Sequence, residues 1–158
     1  MSFNKNKIWA LTGFNANNRT EDEIISLFHK YLKEPMHGLC FSPYENGQKP
    51  GDQLSEEQIR RRLKIMQPHT KWVRSFSCTD GNEMIPKIAH ELGLKTLVGA
   101  WLGENKEINE LEITRLIQLA KDGYVDIAVV GNEVLYRGDL SMEELLQYID
   151  RVKKEIPG

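Results

Sequence analysis

Four short apolar runs, opening near residues 38, 71, 95 and 126, recur along this 158-residue chain, and each is followed by an amphipathic segment. Gly38-Leu39-Cys40-Phe41-Ser42, Lys71 to Phe76, Leu94 to Trp101 and Asp126 to Val130 are short and rich in apolar and β-branched residues, as strands buried on both faces must be. The segments between them carry apolar residues at helical spacing. Ile59, Leu63 and Met66 follow a capping signal at Ser55-Glu56-Glu57-Gln58 and run up to Pro68. Ile85, Ile88, Ala89 and Leu92 mark a second stripe, with Pro86 in or near the first turn and Gly93 closing it. Ile113, Leu116, Ile117 and Ala120 end at Gly123, and Leu145, Ile149 and Val152 follow the cap Ser141-Met142-Glu143-Glu144.

Strand then helix, four times over, predicts a parallel sheet joined by right-handed crossovers. Two architectures satisfy that pattern: an open doubly wound sheet, and the first half of a (β/α)8 barrel. Neither G-x-G-x-x-G nor a Walker-type loop occurs after the early strands, which removes the best support for a nucleotide-binding open sheet. Periodicity alone does not choose between the two. Ahead of the repeat, Thr20-Glu21-Asp22-Glu23 caps a helix carrying Ile24, Leu27, Phe28 and Tyr31 and stopping near Pro35. Residues 1–35 therefore read as an N-terminal extension with one helix, and 36–158 as four βα units of a single partial domain.

Bulk properties narrow the function. Lys+Arg total 21 against Asp+Glu 23, a net charge of −2. So even a balance supplies no electrostatic pull toward nucleic acid or an anionic membrane. The two cysteines, Cys40 and Cys78, are too few for a disulfide framework and read as buried free thiols. Four scattered histidines without cysteine neighbours make no metal site, and no cofactor motif is present. The N-terminus is too polar for a secretory signal and no run reaches the ~20 apolar residues of a membrane helix, so a cytoplasmic location is expected.

Chemistry concentrates at the strand ends. The run Asp126-Ile127-Ala128-Val129-Val130 breaks into Gly131-Asn132-Glu133, and a polar pair at the carboxyl end of a buried strand is where α/β proteins place their active groups. Taken alone, Asn132 also fits a plain turn and Glu133 a solvated carboxylate. The stretch Tyr44 to Leu54 exceeds an ordinary βα connection, the kind of loop that carries function.

Met36-His37-Gly38-Leu39-Cys40-Phe41-Ser42-Pro43-Tyr44 with Gly47-Gln48, Pro68-His69-Thr70 with Val73-Arg74-Ser75-Phe76, and Gly93-Leu94-Lys95 leading to Gly99-Ala100-Trp101 resemble bacterial glycoside hydrolase family 17. Val129-Val130-Gly131-Asn132-Glu133-Val134-Leu135 with Arg137-Gly138-Asp139-Leu140 is similar to that family's acid/base strand. The resemblance runs unbroken from about residue 36 to 158. It implies about four of the eight units of a TIM-type barrel that hydrolyses or transfers β-1,3-glucan with retention. It also implies that Glu133 is the general acid/base and that Asn132 bonds the sugar 2-hydroxyl.

Further positions at the same strand ends have two readings each. Arg74 either holds a carboxylate nucleophile ionised or is a strand-end cation in an ordinary ion pair. Tyr44 and Trp101 either contact sugar or pack as core aromatics. Glu45 and Asp80 are subsite contacts or, the better default, solvated loop charges. A retaining mechanism needs a second carboxylate about 5–5.5 Å from the first. The family takes it from the seventh strand, and Glu143, Glu144 and Glu155 all lie on the last helix. A full barrel takes about 250 residues, so the chain is expected to represent the N-terminal half. It then either pairs with a second copy that covers its exposed edges or is a truncated product. Two other readings stand beside the enzyme: a non-catalytic half-barrel for carbohydrate binding or assembly, and an unrelated small α/β enzyme on fold analogy.

Overall fold

The computed structural model describes residues 16–156. The chain divides into two compact units, Met1–Glu34 and Pro35–Gly158. In the first unit, helix α1 (Glu21–Leu32) starts at Thr20 with both halves of the capping box. Thr20 Oγ1 accepts from Glu23 N at 3.3 Å, and Glu23 Oε2 accepts from Thr20 N at 2.8 Å.

In the second unit the order is β1 (Met36–Cys40), α2 (Glu56–Met66), β2 (Thr70–Ser75), α3 (Met84–Glu91), β3 (Lys95–Ala100), α4 (Lys106–Lys121) and β4 (Ile127–Val130). A four-residue helix, α5 (Val134–Arg137), and the long α6 (Met142–Glu155) follow. All four strands are parallel and lie in sequence order, β1-β2-β3-β4. That order settles the choice left open by periodicity. A doubly wound sheet reverses direction at a switch point, and no reversal occurs here. With every crossover of the usual right hand, the helices then fall on one face, as in a segment of barrel wall.

Packing follows that geometry. Val73 with Ile59, Leu63, Ile85 and Ile88 forms one apolar cluster. Val98 and Ala100 with Ile113, Leu116, Val134 and Val152 form the other. The opposite face holds the residues one step along each strand, kept in rows by the register. Cys40 pairs with Arg74, Arg74 with Leu97, and Leu97 with Ile127. Within the second unit no described helix packs on this face, and among the described residues no strand pairs with the outer edge of β1 or β4. Cys40 is therefore exposed, which corrects the expectation of two buried thiols. Strand-like composition marked it as interior, but the interior of a barrel wall is filled only once the wall closes. Cys78 is buried, and its Sγ lies 3.5 Å from Gly99 O.

The helix ends obey the local rules. Pro86 sits in the first turn of α3, where a missing N–H costs nothing. Gly93 (φ 75°) and Gly123 (φ 83°) close α3 and α4 in the left-handed region. Ser55 caps α2 by accepting from Gln58 N at 3.2 Å. The Gln58 side chain does not turn back to complete the box; it donates to Pro43 O at 2.8 Å and pairs with Gln48. The long β1–α2 loop is thereby pinned to the helix it precedes. No helix among the described residues is long and apolar enough to cross a membrane.

Candidate functional site

The corner after β4 is built to hold one conformation. Gly131 N donates to Ala100 O at 3.1 Å, extending the sheet by one bond. The chain then turns at φ 78°, and a Cβ on Gly131 would lie 2.6 Å from Val134 Cγ2. Only glycine satisfies both conditions. Glu133 follows at φ 53°, left-handed, as the residue before α5. For a residue with a long side chain that conformation costs about 1–2 kcal/mol, and such strain clusters where geometry serves a site. Asp80 (φ 55°), in the loop after β2, is the other described non-glycine residue with positive φ. Both stand at the carboxyl end of the sheet.

Arg137 fixes the corner from beneath. Its Nη1 donates to Asn132 O and its Nη2 to Leu102 O at 2.8 Å, while Nε donates to Asp139 Oδ2 at 2.6 Å. The guanidinium carbon also lies 4.5 Å from the centre of the Trp101 ring, a cation–π contact. With the backbone of Asn132 so held, its side chain faces Arg74: Arg74 Nη2 donates to Asn132 Oδ1 at 2.8 Å. Arg74 in turn rests on Phe76, 4.5 Å from its centroid, and its Nε is buried with no partner among the described residues. The Glu133 side chain is exposed and has no hydrogen-bond partner among the described residues.

A cavity of about 420 Å³ opens beside this corner, over the carboxyl ends of β1, β2 and β3. Tyr44, Pro50, Phe76, Trp101 and Ile108 give it apolar walls, with Asp80, Asn82 and Glu112 as polar points. Its size and its mix of apolar wall and few polar groups are those of small-molecule sites. Trp101 is 41% exposed, so it serves as wall rather than core. Tyr44 Oη accepts a long bond, 3.4 Å, from Asn82 Nδ2.

The structure thus joins Arg74 to Asn132 directly and Trp101 to Asn132 through Arg137. Tyr44 and Trp101 share the cavity, and Glu133 stands outside its lining. Glu45 forms an ion pair with Arg61, so its charge is spent at the surface. Among the described residues no group of three or more His, Cys, Asp or Glu is placed to hold a metal ion.

Two buried polar residues that hold the loops at this end of the sheet were missed. Asn109, fully buried, brackets the loop after β3: Gly103 N donates to its Oδ1 at 2.8 Å and its Nδ2 donates to Gly103 O at 2.7 Å. Glu112, 1% exposed, binds the loops after β2 and β3 together. A signal existed. Asn109 and Glu112 stand four residues before Ile113 and Leu116, on the buried stripe of α4, where a polar residue needs a partner.

Comparison with known proteins places the chain in a family. The family of the BtgE/BtgC glycoside hydrolase domain matches residues 38–158, which include Tyr44, Arg74, Trp101, Asn132 and Glu133. A solved structure, an active-site mutant of Rhizomucor miehei beta-1,3-glucanosyltransferase in complex with laminaritriose, is similar with a TM-score of 0.62 and 25% sequence identity. The likeness covers 75% of this chain and 44% of that one, so the chain spans less than half the length of the transferase. A search of curated protein sequences finds no match. The chain belongs to the BtgE/BtgC glycoside hydrolase domain family.

Proposed function

We propose that this chain carries the acid/base side of a retaining β-1,3-glucan active site. The observation that carries the reading is the corner after β4. Glu133 is presented free at a strained, glycine-hinged turn, beside an Asn132 whose carbonyl is fixed by Arg137 and whose side chain is oriented by Arg74. In this reading Glu133 gives its proton to the departing glycosidic oxygen and later takes one from the incoming water or sugar hydroxyl. Asn132 Oδ1 already accepts from Arg74, which turns the amide nitrogen outward to meet the sugar 2-hydroxyl. That bond tightens as oxocarbenium character grows, so it favours the transition state over the ground state. Arg74, with Nε still unpaired, supplies positive charge for the second carboxylate of the mechanism. Tyr44 and Trp101 line the cavity where neighbouring glucose units lie, the rings offering flat apolar faces to pyranose. The glycoside hydrolase family and the laminaritriose held by the similar transferase support this substrate class. Endo-hydrolysis and glycosyl transfer share these steps and differ in the acceptor.

Calorimetric titration with laminaritriose, together with product analysis on longer laminari-oligosaccharides, tests the reading in the wild type and in Glu133→Gln. Both proteins bind, and turnover, which also needs the second carboxylate of the mechanism, is confined to the wild type. A wild type that binds no β-1,3-glucan, or a variant with undiminished turnover, sinks it.

A second reading has its own observation, the sheet face with exposed Met36 and Ile127 and the two strand edges unpaired among the described residues. Here the chain binds glucan without turnover and buries that face against a second copy. Light scattering coupled to gel filtration decides: a monodisperse monomer with an intact near-UV circular dichroism spectrum removes the pairing.

A further inference from the structure

Glu112 is the one carboxylate among the described residues placed under the cavity with all its acceptor positions engaged. Oε1 accepts from Ser77 Oγ at 2.5 Å and from Thr79 Oγ1 at 2.8 Å. Oε2 accepts from the backbone N–H of Cys78 at 2.7 Å and of Trp101 at 3.1 Å. These donors come from two separate segments, the loop after β2 and the residue that follows β3. A single side chain from α4 therefore joins two walls of the cavity. Trp101 carries the connection further, because its ring lies under Arg137, and Arg137 holds the carbonyl of Asn132.

We propose that Glu112 is a positioning residue of the glucan site: it sets the Trp101 wall and, through Trp101 and Arg137, the Asn132–Glu133 corner. The inference rests on the glucan reading given above. A carboxylate needed for folding alone would leave ligand binding unchanged once the fold was kept. The two halves of the carboxylate differ in a way that supplies the test. The hydroxyls on Oε1 rotate, so they accept a hydrogen bond as readily as they donate one. The two backbone N–H groups on Oε2 only donate. A glutamine in this place keeps the whole network, its oxygen toward the N–H groups and its NH2 toward the two hydroxyl oxygens. A methionine of similar volume leaves both N–H groups unpaired in a buried place. The charged groups around the carboxylate are few: Asp80 beside Thr79, and Arg115, which donates to Cys78 O at 3.2 Å and pairs with Glu83 at 3.4 Å. The Cys78 thiol, pushed up by burial, stays neutral.

The experiment compares wild type, Glu112→Gln and Glu112→Met for laminaritriose binding, with amide hydrogen exchange read at Cys78, Trp101 and Asn132. Glu112→Gln binds within about twofold of wild type, and Glu112→Met binds at least about tenfold more weakly, a decade being about 1.4 kcal/mol. Exchange at Cys78 and Trp101 quickens in the methionine variant first, and at Asn132 with it. Binding unchanged in a folded Glu112→Met overturns the positioning role alone. Absence of binding by wild type overturns the glucan reading and the positioning role with it. Should Glu112→Met fail to fold, the amides of Cys78 and Trp101 in wild type and Glu112→Gln decide: laminaritriose shifts both, and resonances that do not move overturn the proposal.

Discussion

Glu112 and Glu133 are both carboxylates at the carboxyl end of the same sheet, and their surroundings are opposite. Glu112 is 1% exposed and receives four hydrogen bonds; Glu133 is exposed on a left-handed turn with its side chain unengaged. Burial pushes the carboxyl group of Glu112 up, although the bonds from Ser77, Cys78, Thr79 and Trp101 pull it back. The difference teaches how one fold divides its acidic residues. A carboxylate whose lone pairs are all taken cannot also deliver a proton to a substrate, so Glu112 orders the walls. Around Glu133 the backbone is fixed and the side chain has no partner among the described residues, as the acid/base role proposed for it requires.

The sharpest break of that contrast is Glu133→Gln. Where the second carboxylate is supplied, turnover should fall by about 10²- to 10⁴-fold, the usual worth of a positioned acid/base. Thermal stability should stay within about 0.5 kcal/mol of wild type, since the side chain holds nothing up. Steady-state rates and a melting curve on the same preparation check both halves. A large loss of stability would place Glu133 with the structural carboxylates and remove the contrast.

Arg137→Ala attacks what lies between the two. It leaves the carbonyls of Asn132 and Leu102 without their donor and takes the guanidinium from the Trp101 ring. A loss of about 2 kcal/mol is expected from urea unfolding, on the scale of one buried group left unpaired plus a cation–π contact. The same change should weaken laminaritriose binding, because the corner and the wall are both released. Stability lost with binding intact would show that the corner does not depend on Arg137.

How much of this was legible depended on whether the signal was periodic. The helices α2, α4 and α6 stand where their stripes and caps put them, because burial of one face dictates residue type at every third or fourth position. The strands came out within about two residues, and β1 ends earlier than Pro43 suggested because regular strand geometry stops at Cys40. Phe41 still donates to Arg74 O at 2.9 Å, one residue beyond it. The four-residue α5 has no period to read. At the site, Asn132 and Glu133 were visible from a polar break after a β-branched run, and the Arg74–Asn132 contact, spanning 58 residues, was not. Charge-charge and amide-charge partners across a sheet follow from register, and register is a property of the folded ladder. Glu112 was read past for a related reason: in a helix already rich in Glu107 and Glu110, another acid resembles surface.

A pH series separates the two carboxylates by a smaller effect. The folded-state value of Glu112 is raised above its unfolded one, so the folded protein holds that proton more tightly. Its contribution to stability is full below the unfolded value and is lost as pH rises through the folded value. Glu112→Gln has no such loss. The stability difference, Gln variant minus wild type, should therefore grow as pH rises through that window and level off above it. Asp126 works in the other direction. Burial would raise its carboxyl group, but hydrogen bonds from Thr96 N and His90 outweigh it and bring it below the ordinary range. Its contribution is lost as pH falls through that lowered value, equally in both proteins, so it cancels in the difference. A flat difference would mean that the four hydrogen bonds fully offset the burial of Glu112.

The smallest effect is expected at Tyr44. Its hydroxyl accepts one long bond from Asn82 Nδ2, 3.4 Å, and Asn82 keeps its firmer bond to Thr79 O at 2.9 Å whatever happens there. Tyr44→Phe should therefore cost no more than about 0.5 kcal/mol in urea unfolding. The ring, which forms the wall, is retained, so laminaritriose binding should weaken by less than about tenfold, short of the 1.4 kcal/mol that a decade represents. A larger loss would mean that the hydroxyl itself meets the sugar. In that case the cavity has a polar anchor of its own on the β1 side. Glu112 and Trp101 would then order only one of two independent walls, and the division of labour between the two glutamates would hold for the β3–β4 side of the site alone.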